Sequence, residues 1–417
     1  MVSRAKAKLL AVRDRVLLDV TRQLSGLERM IFLLLRRFRP LIATRQFGVV
    51  TRAEDVREVL ADYTHFTVPF YEQKMAEITG PFILGLDDTA LYRHDHAALR
   101  AAIRSDDVPE LSAVILEVAR ERVAAADGRI EIVTALVEPT VDRVISAYFG
   151  TPAPDTATQV RWSRSIFQDI FLNAADSQAL HQRALADAAE MRPHLDAQIA
   201  ERRAELDAGQ ELPDDVLTRL LTHRPLDGGL HDISIRHNLI GLIAGWIPTV
   251  SKAFTCAIDE LLSRPAQLEQ AQSAARAGDH AKVSAYLFEA LRFQPQTWAL
   301  LRTCAADWTV AAGTSRATEF HAGSKVLVGT QSAMFDSRSV QSPTKFRTDR
   351  PFESYLHFGH GLHMCFGLEI NRGQLPALAV ALLEGPTITR ASGETGQLSW
   401  DGPYPASLTV ELETSRP

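Results

Sequence analysis

Cys365 stands in Phe358-Gly359-His360-Gly361-Leu362-His363-Met364-Cys365-Phe366-Gly367, a glycine-broken stretch that runs straight into the apolar segment Leu368 to Leu383. A thiol at the start of a helix lies in the positive end of the helix dipole, which favours the thiolate, the form that binds metal. The glycines leave the backbone free to approach something flat and large. One chemistry that fits is a haem iron held by a single cysteine thiolate, the sulfur pushing electron density onto the iron. A zinc site is the other reading of a cysteine near histidines. A closed structural zinc site takes four ligands, however, and Cys256, Cys304 and Cys365 show no CxxC pairing.

Two further pairs place charge at helical spacing. Glu289 and Arg292 lie three residues apart in the helix-like segment Ala281 to Phe293, just before Pro295, and so share a face. His96 and Arg100, four apart, do the same. Taken alone, each pair reads first as solvated surface charge.

The ten residues around Cys365 match, position for position, the Cys-ligand signature F-x-x-G-x-H-x-C-x-G, and on this the chain resembles the cytochrome P450 family from about Phe47 to its C-terminus. The resemblance implies a haem b with Cys365 as axial ligand and Phe358 and Gly367 in the ligand loop. It makes Glu289-Arg292, with Arg350, a buried structural lock. It makes His96, Arg100, Arg302 and His363 donors to the haem propionates, a role that suits Arg and His because carboxylates at the rim of a macrocycle need charge-assisted hydrogen bonds.

The elements that must hold these residues read as mostly helical: Glu54 to Leu60, Leu91 to Ile103, Leu111 to Ala126, Ile130 to Phe149, Thr156 to Phe171, Ser177 to Glu205 and Ile233 to Leu262, besides the two segments already named. Strand-like runs at Phe47 to Val50, Trp308 to Val310, Lys325 to Val328 and Ser407 to Glu411 are interleaved with them. With 417 residues, 46% hydrophobic and 23% charged, the chain can bury a large core. It carries no repeat and no linker that would separate units. The expected fold is mainly α with small β-sheets, a single domain with the triangular-prism architecture of the family.

The run Ile233 to Leu262 is the helix expected to cross the distal face of the haem. Family members commonly read A/G-G-x-D/E-T-T/S at its centre, where the acid and threonine deliver protons during dioxygen activation. Here the stretch is Ala244-Gly245-Trp246-Ile247-Pro248-Thr249-Val250, with Ile247 at the acid and Pro248 at the first threonine. Neither side chain carries an exchangeable proton. Pro248 has no N–H, so it frees the carbonyl of Ala244 and keeps the helix kinked. One branch of the family reads R-P-T-V there and oxidises fatty acids with hydrogen peroxide. The arginine that would grip a carboxylate is missing, which leaves no fixed cation for one. Thr249 sits one residue further on, about 100° around a helix, so its hydroxyl is expected to point away from the usual direction. Trp246, Ile247, Pro248 and Thr249 are the candidate catalytic positions, and Ala244 and Gly245 the haem-facing ones. Phe70, Tyr71, Ile83, Leu84, Thr297 and Trp298 are the expected walls of a largely apolar cavity.

The function implied is a monooxygenase oxidising an apolar small molecule, a lipid, terpenoid or aromatic compound. Electrons would come from a separate ferredoxin-type donor, because the chain shows neither iron–sulfur ligand cysteines nor a Gly-rich βαβ fingerprint. The alternatives are a peroxide-driven peroxygenase, a hydroperoxide isomerase or lyase, and a haem-binding sensor. No nucleic-acid partner is expected. Three unpaired cysteines and no secretory h-region point to the cytoplasm. Residues 1–39 hold ten Lys/Arg against three Asp/Glu, +7 in a chain of net −6, leaving −13 for the rest. Residues 1–45 are therefore read as a basic extension, packed on the body or lying on the inner face of a membrane, and 46–417 as the haem domain. The apolar run Met30 to Leu35 is far shorter than the roughly 20 residues that cross a bilayer.

Overall fold

The computed structural model describes residues 27–173, 175–223 and 228–413. The apolar run at its centre forms one helix, Asp232–Leu262, apolar nearly all round as a helix buried on every side must be. Among the described residues it is the one helix long and apolar enough to cross a bilayer, and its side chains are spent on packing within the body. Helices Thr156–Phe167, His280–Phe293, Gln178–Asp207 and Glu138–Phe149 lie against it. Helix Leu368–Leu383, which follows Cys365, packs chiefly on Val108–Ala124 and also on His280–Phe293. These helices share one apolar core.

A five-stranded sheet flanks them, in the order Leu41–Ala43, Phe47–Val50, Lys325–Val328, Leu300–Cys304, Phe66–Thr67. Phe47–Val50 and Lys325–Val328 run parallel, Val50 opposite Val328, and the other neighbours run antiparallel. Val50, Phe66, Cys304, Val326 and Val328 build a second core on its inner side. This sheet carries Arg302, paired with Val326. The mainly helical single domain with small sheets agrees with the expected fold class.

Local chemistry shifted some boundaries. Ile130 to Phe149 is not one helix: Arg129–Glu131 is a strand paired with Thr409–Glu413, residues 132–137 form a π-helical turn, and the α-helix begins at Glu138. The cause is visible at Glu131, whose carboxylate accepts the amides of Val133 and Thr134 and starts the helix late. The strand-like run Ser407 to Glu411 is divided, with Tyr404–Ser407 and Thr409–Glu413 as separate strands.

Helix Leu27–Phe38 holds the described part of the N-terminal segment. Phe32 is buried and meets the Trp298 ring at 5.7 Å, and the Arg36 guanidinium donates to the Ser332 hydroxyl at 2.9 Å. The opposite side presents Met30, Ile31, Leu33, Leu34 and Phe38 outward. The basic residues before Leu27 lie outside the described residues.

Candidate haem-thiolate site

The ligand loop is held by its own backbone. The Cys365 amide donates to the Phe358 carbonyl at 2.8 Å, and the Cys365 carbonyl accepts from Leu368 at the start of the following helix. Gly359 and Gly361 both have φ of +75°, a conformation that costs other residues steric strain. At Gly361 a Cβ would also stand 2.2 Å from the Leu60 carbonyl oxygen, so only glycine lets the loop lie against that strand-preceding helix. The Tyr92 hydroxyl donates to the Leu362 carbonyl at 3.1 Å.

The Cys365 thiol pKa is raised, burial being the largest cause, with the Gly367 amide and the Arg100 charge pulling the other way. A helix N-terminus alone does not offset that burial; a bound metal ion would favour the thiolate. Among the described residues no three His, Cys, Asp or Glu stand close enough together to hold a metal ion. Cys365 would be a ligand of the solitary kind, while Cys256 and Cys304 are buried.

Beneath the loop, Glu289 and Arg292 form the expected lock. Arg292 Nε and Nη2 donate to the two Glu289 oxygens at 3.0 and 2.7 Å, and Arg350 Nε lies 3.2 Å from both. The Tyr355 hydroxyl and the Arg347 amide complete the carboxylate's shell at 3.1 and 3.0 Å. Arg292 spends its remaining donors on the carbonyls of Met334, Pro343 and Lys345. One helix and the long segment before Cys365 are thus tied at a single buried charge.

The basic residues expected at the haem edge gather on the other side of the loop. Arg302 is buried, donates to the carbonyl of Leu301 at 2.8 Å, and has no ion pair among the described residues. Burial lowers its pKa, and Asp87 and Tyr71 offset this only in part. His363 donates through Nε2 to the Leu86 carbonyl at 2.8 Å, and burial, with the Arg302 charge nearby, pushes its pKa down to about 4. The Arg100 guanidinium lies over the Phe366 ring at 3.9 Å, and the His96 ring meets the same phenyl edge-on at 5.5 Å. Phe358 packs among Phe288 and Phe352.

The central helix has one open stripe. Between Asn238 and Ile258 every residue is buried except Leu242, Gly245, Thr249 and Lys252, whose spacing of three, four and three puts them on one helical face. A Cβ built on Gly245 would meet nothing within 4 Å. Thr249 lies on this stripe, and its hydroxyl donates to the carbonyls of Gly245 at 2.6 Å and Trp246 at 3.0 Å. Thr249 thus shares the face of Gly245, with its hydroxyl turned back onto the helix.

Ile247 and Pro248 are buried on other faces, as is Ala244. Trp246, a candidate catalytic position and, on the distal helix, also an expected cavity wall, is corrected: its indole N–H donates to the Gln374 side chain at 2.9 Å and its ring meets Phe149 edge-on at 5.3 Å. That anchor joins the central helix to the helix after Cys365 and sets which face stays open. Among the other expected walls, Phe70, Leu84 and Thr297 are partly accessible, Tyr71 and Ile83 are buried, and Trp298 faces outward beside Phe32.

These residues fit a haem. There is one thiol with no other ligand group, a glycine face that opens onto free space, and basic side chains among which Arg302 is buried without a carboxylate. Burying an unpaired charge is costly, and the propionates of a haem are the anions this group lacks. Cys365 would hold the iron and His96, Arg100, Arg302 and His363 the propionates, and the bound group would supply the electron transfer and dioxygen activation.

Fold and site together define a mostly helical protein built around a cysteine-ligated haem. The cytochrome P450 family model matches residues 38–385, and the chain belongs to the cytochrome P450 family. It is 29% identical over 344 residues to the erythromycin C-12 hydroxylase of Saccharopolyspora erythraea, covering 78% of this chain and 79% of that one. It is 25% identical over 359 residues to the mycinamicin IV hydroxylase/epoxidase of Micromonospora griseorubida, covering 84% and 85%. Among solved structures, CalO2 superposes with a TM-score of 0.80 at 24% identity, covering 94% of this chain and 97% of that one. The protein is a P450 monooxygenase, an oxidoreductase with a haem-thiolate iron cofactor acting on a small molecule.

Proposed function

We propose that the protein uses dioxygen and haem b, with electrons from a ferredoxin-type donor, to hydroxylate an apolar small molecule of lipid or terpenoid size in the cytoplasm. The supporting observation is the Thr249 hydroxyl on the one open stripe of the central helix, beside Gly245. A hydroxyl there can hold or pass a proton, which removes the motive for a peroxide-driven route that Ile247 and Pro248 suggest. The relatives support the same reading: besides those named above, a steroid C26-monooxygenase of Mycolicibacterium smegmatis matches over 73% of this chain. Residues 1–45 are read as a basic extension, whose described part meets the haem domain through Phe32 and Arg36.

The test is the coupling of electrons to product with a surrogate ferredoxin system. Wild type and Thr249→Ser are expected to send most electrons into product, and Thr249→Ala to divert them to hydrogen peroxide severalfold more. Equal coupling in Thr249→Ala, together with better wild-type turnover on a hydroperoxide than on dioxygen, would overturn the proposal.

A further inference from the structure

Lys252 ends the open stripe, one turn beyond Thr249 and two beyond Gly245. Its side chain is partly accessible there, and among the described residues it makes no hydrogen bond and no ion pair. The nearest groups that answer its charge are weak. The Trp400 ring centroid is 5.8 Å away, at the outer limit of a cation–π contact. The Cys256 thiol, one turn further along, is itself pushed up to about 12 and stays neutral. Burial lowers the lysine's pKa, as expected for a cation with no anion beside it.

Several interior charges among the described residues are answered by anions: Lys74 reaches the carbonyls of Asp169 and Asn173 and the Asp169 carboxylate, and Arg292 and Arg350 share Glu289. Arg36 donates to the Ser332 hydroxyl, and Arg302, which has no ion pair among the described residues, stands with the propionate donors. Covering a cation with a ligand strands its charge unless the ligand brings the anion. By its spacing Lys252 shares the helical face of Gly245 and Thr249, so a ligand lying along that face meets the ammonium.

We propose that Lys252 anchors a carboxylate on the substrate, so that the molecule oxidised is an apolar acid rather than a neutral hydrocarbon. The inference rests on the monooxygenase reading for the identity of the ligand as substrate. It also supplies the fixed cation that position 247, an isoleucine, does not. A carboxylate held at Lys252 leaves the apolar remainder of the molecule to run along the stripe past Thr249 and Gly245.

The test measures binding rather than turnover, by Soret-band titration and calorimetry on the haem-loaded full chain. The probes are dodecanoic acid and cholanic acid, each against its methyl ester. For at least one skeleton, wild type is expected to bind the acid tenfold or more tighter than the ester. Lys252→Met should bring acid binding down to the ester level with ester binding unchanged, and Lys252→Arg should keep the preference. Wild type binding both esters as tightly as their acids would overturn the proposal, whether or not Lys252→Met folds, and so would Lys252→Met that keeps the preference. Acids bound with the preference but never oxidised with dioxygen would defeat the proposed function and leave the anchor standing.

Discussion

Replacing Glu289 by glutamine keeps the shape of the side chain and removes the charge at the centre of the lock. Glu289 and Arg292 are fully buried, and the Arg350 side chain is 4% exposed. In Glu289→Gln both guanidiniums lose their carboxylate. Arg292 is left with the carbonyls of Met334, Pro343 and Lys345, and Arg350 with those of Gln341, Ser342 and Lys345. Removing one partner of a buried pair costs about 3–5 kcal/mol, a large share of the roughly 5–15 kcal/mol that keeps a protein folded. Unfolding entropy of about 2.1 cal/mol/K per residue over 417 residues gives roughly 0.9 kcal/mol/K, so the thermal midpoint should fall by about 3–6 °C. The lock also ties the segment before Cys365 to helix His280–Phe293, so haem content after purification should fall with it. The assay is thermal unfolding followed by circular dichroism, alongside the ratio of Soret to protein absorbance. Arg347→Ala serves as the control, because its side chain bonds Asp349 and Gln341 and only its amide reaches Glu289; it should leave haem content unchanged and move the midpoint far less than Glu289→Gln does. Glu289→Gln with a wild-type midpoint and full haem would refute the reasoning.

Two further predictions follow from the same site. Cys365→Ala should abolish the red-shifted Soret band of the reduced carbon monoxide complex, while Cys256→Ala and Cys304→Ala keep it; retention of the band in Cys365→Ala would remove the thiolate from the site. His357 is buried, its Nε2 lies 3.0 Å from the Phe288 carbonyl, its Nδ1 has no partner, and burial pushes its pKa down to about 4. Because the folded-state value lies below the ordinary 6.5, the unfolded chain binds the extra proton first. Stability from this residue is therefore complete above pH 6.5 and drains away toward pH 4, by on the order of 3 kcal/mol. Urea unfolding across that window should be flatter in His357→Gln, and an unchanged slope would show that His357 does not titrate this way.

The ligand loop was legible because its chemistry is local, a loop cysteine between glycines and a helix, whereas the lock needed the family resemblance, since a carboxylate three residues from a guanidinium reads on its own as surface charge. The donors at the haem edge needed the family resemblance, since His96 and Arg100 lie far in sequence from Arg302 and His363 and only the fold gathers them. Trp246 and Lys252 were misread or missed for a different reason. A helix apolar nearly all round gives no sequence signal for which face opens, and that choice is made by partners distant in the chain, Gln374 and Phe149 for Trp246. Ile130 to Phe149 has helical periodicity, yet Glu131 and the pairing with Thr409–Glu413 pull its start into a sheet.

The proline in the central helix and the threonine after it are best understood as one device. Pro248 cannot donate to the carbonyl of Ala244, so the helix loses one of its own bonds at the level of the open stripe. Thr249 adds a bond beside that gap, its hydroxyl donating to the Gly245 and Trp246 carbonyls, a bond common for helical threonines. The hydroxyl's one proton is thereby committed to the helix, but its oxygen can still accept a hydrogen bond. In the proposed reaction Thr249 therefore enters as an acceptor, receiving a hydrogen bond from a water or from the substrate. It passes a proton on only by giving up its bond to the helix. Thr249→Val, which keeps the shape and removes both functions, should uncouple dioxygen use from product as strongly as Thr249→Ala does. If valine coupled as well as threonine, the hydroxyl would be a structural cap and the protons would travel by another path.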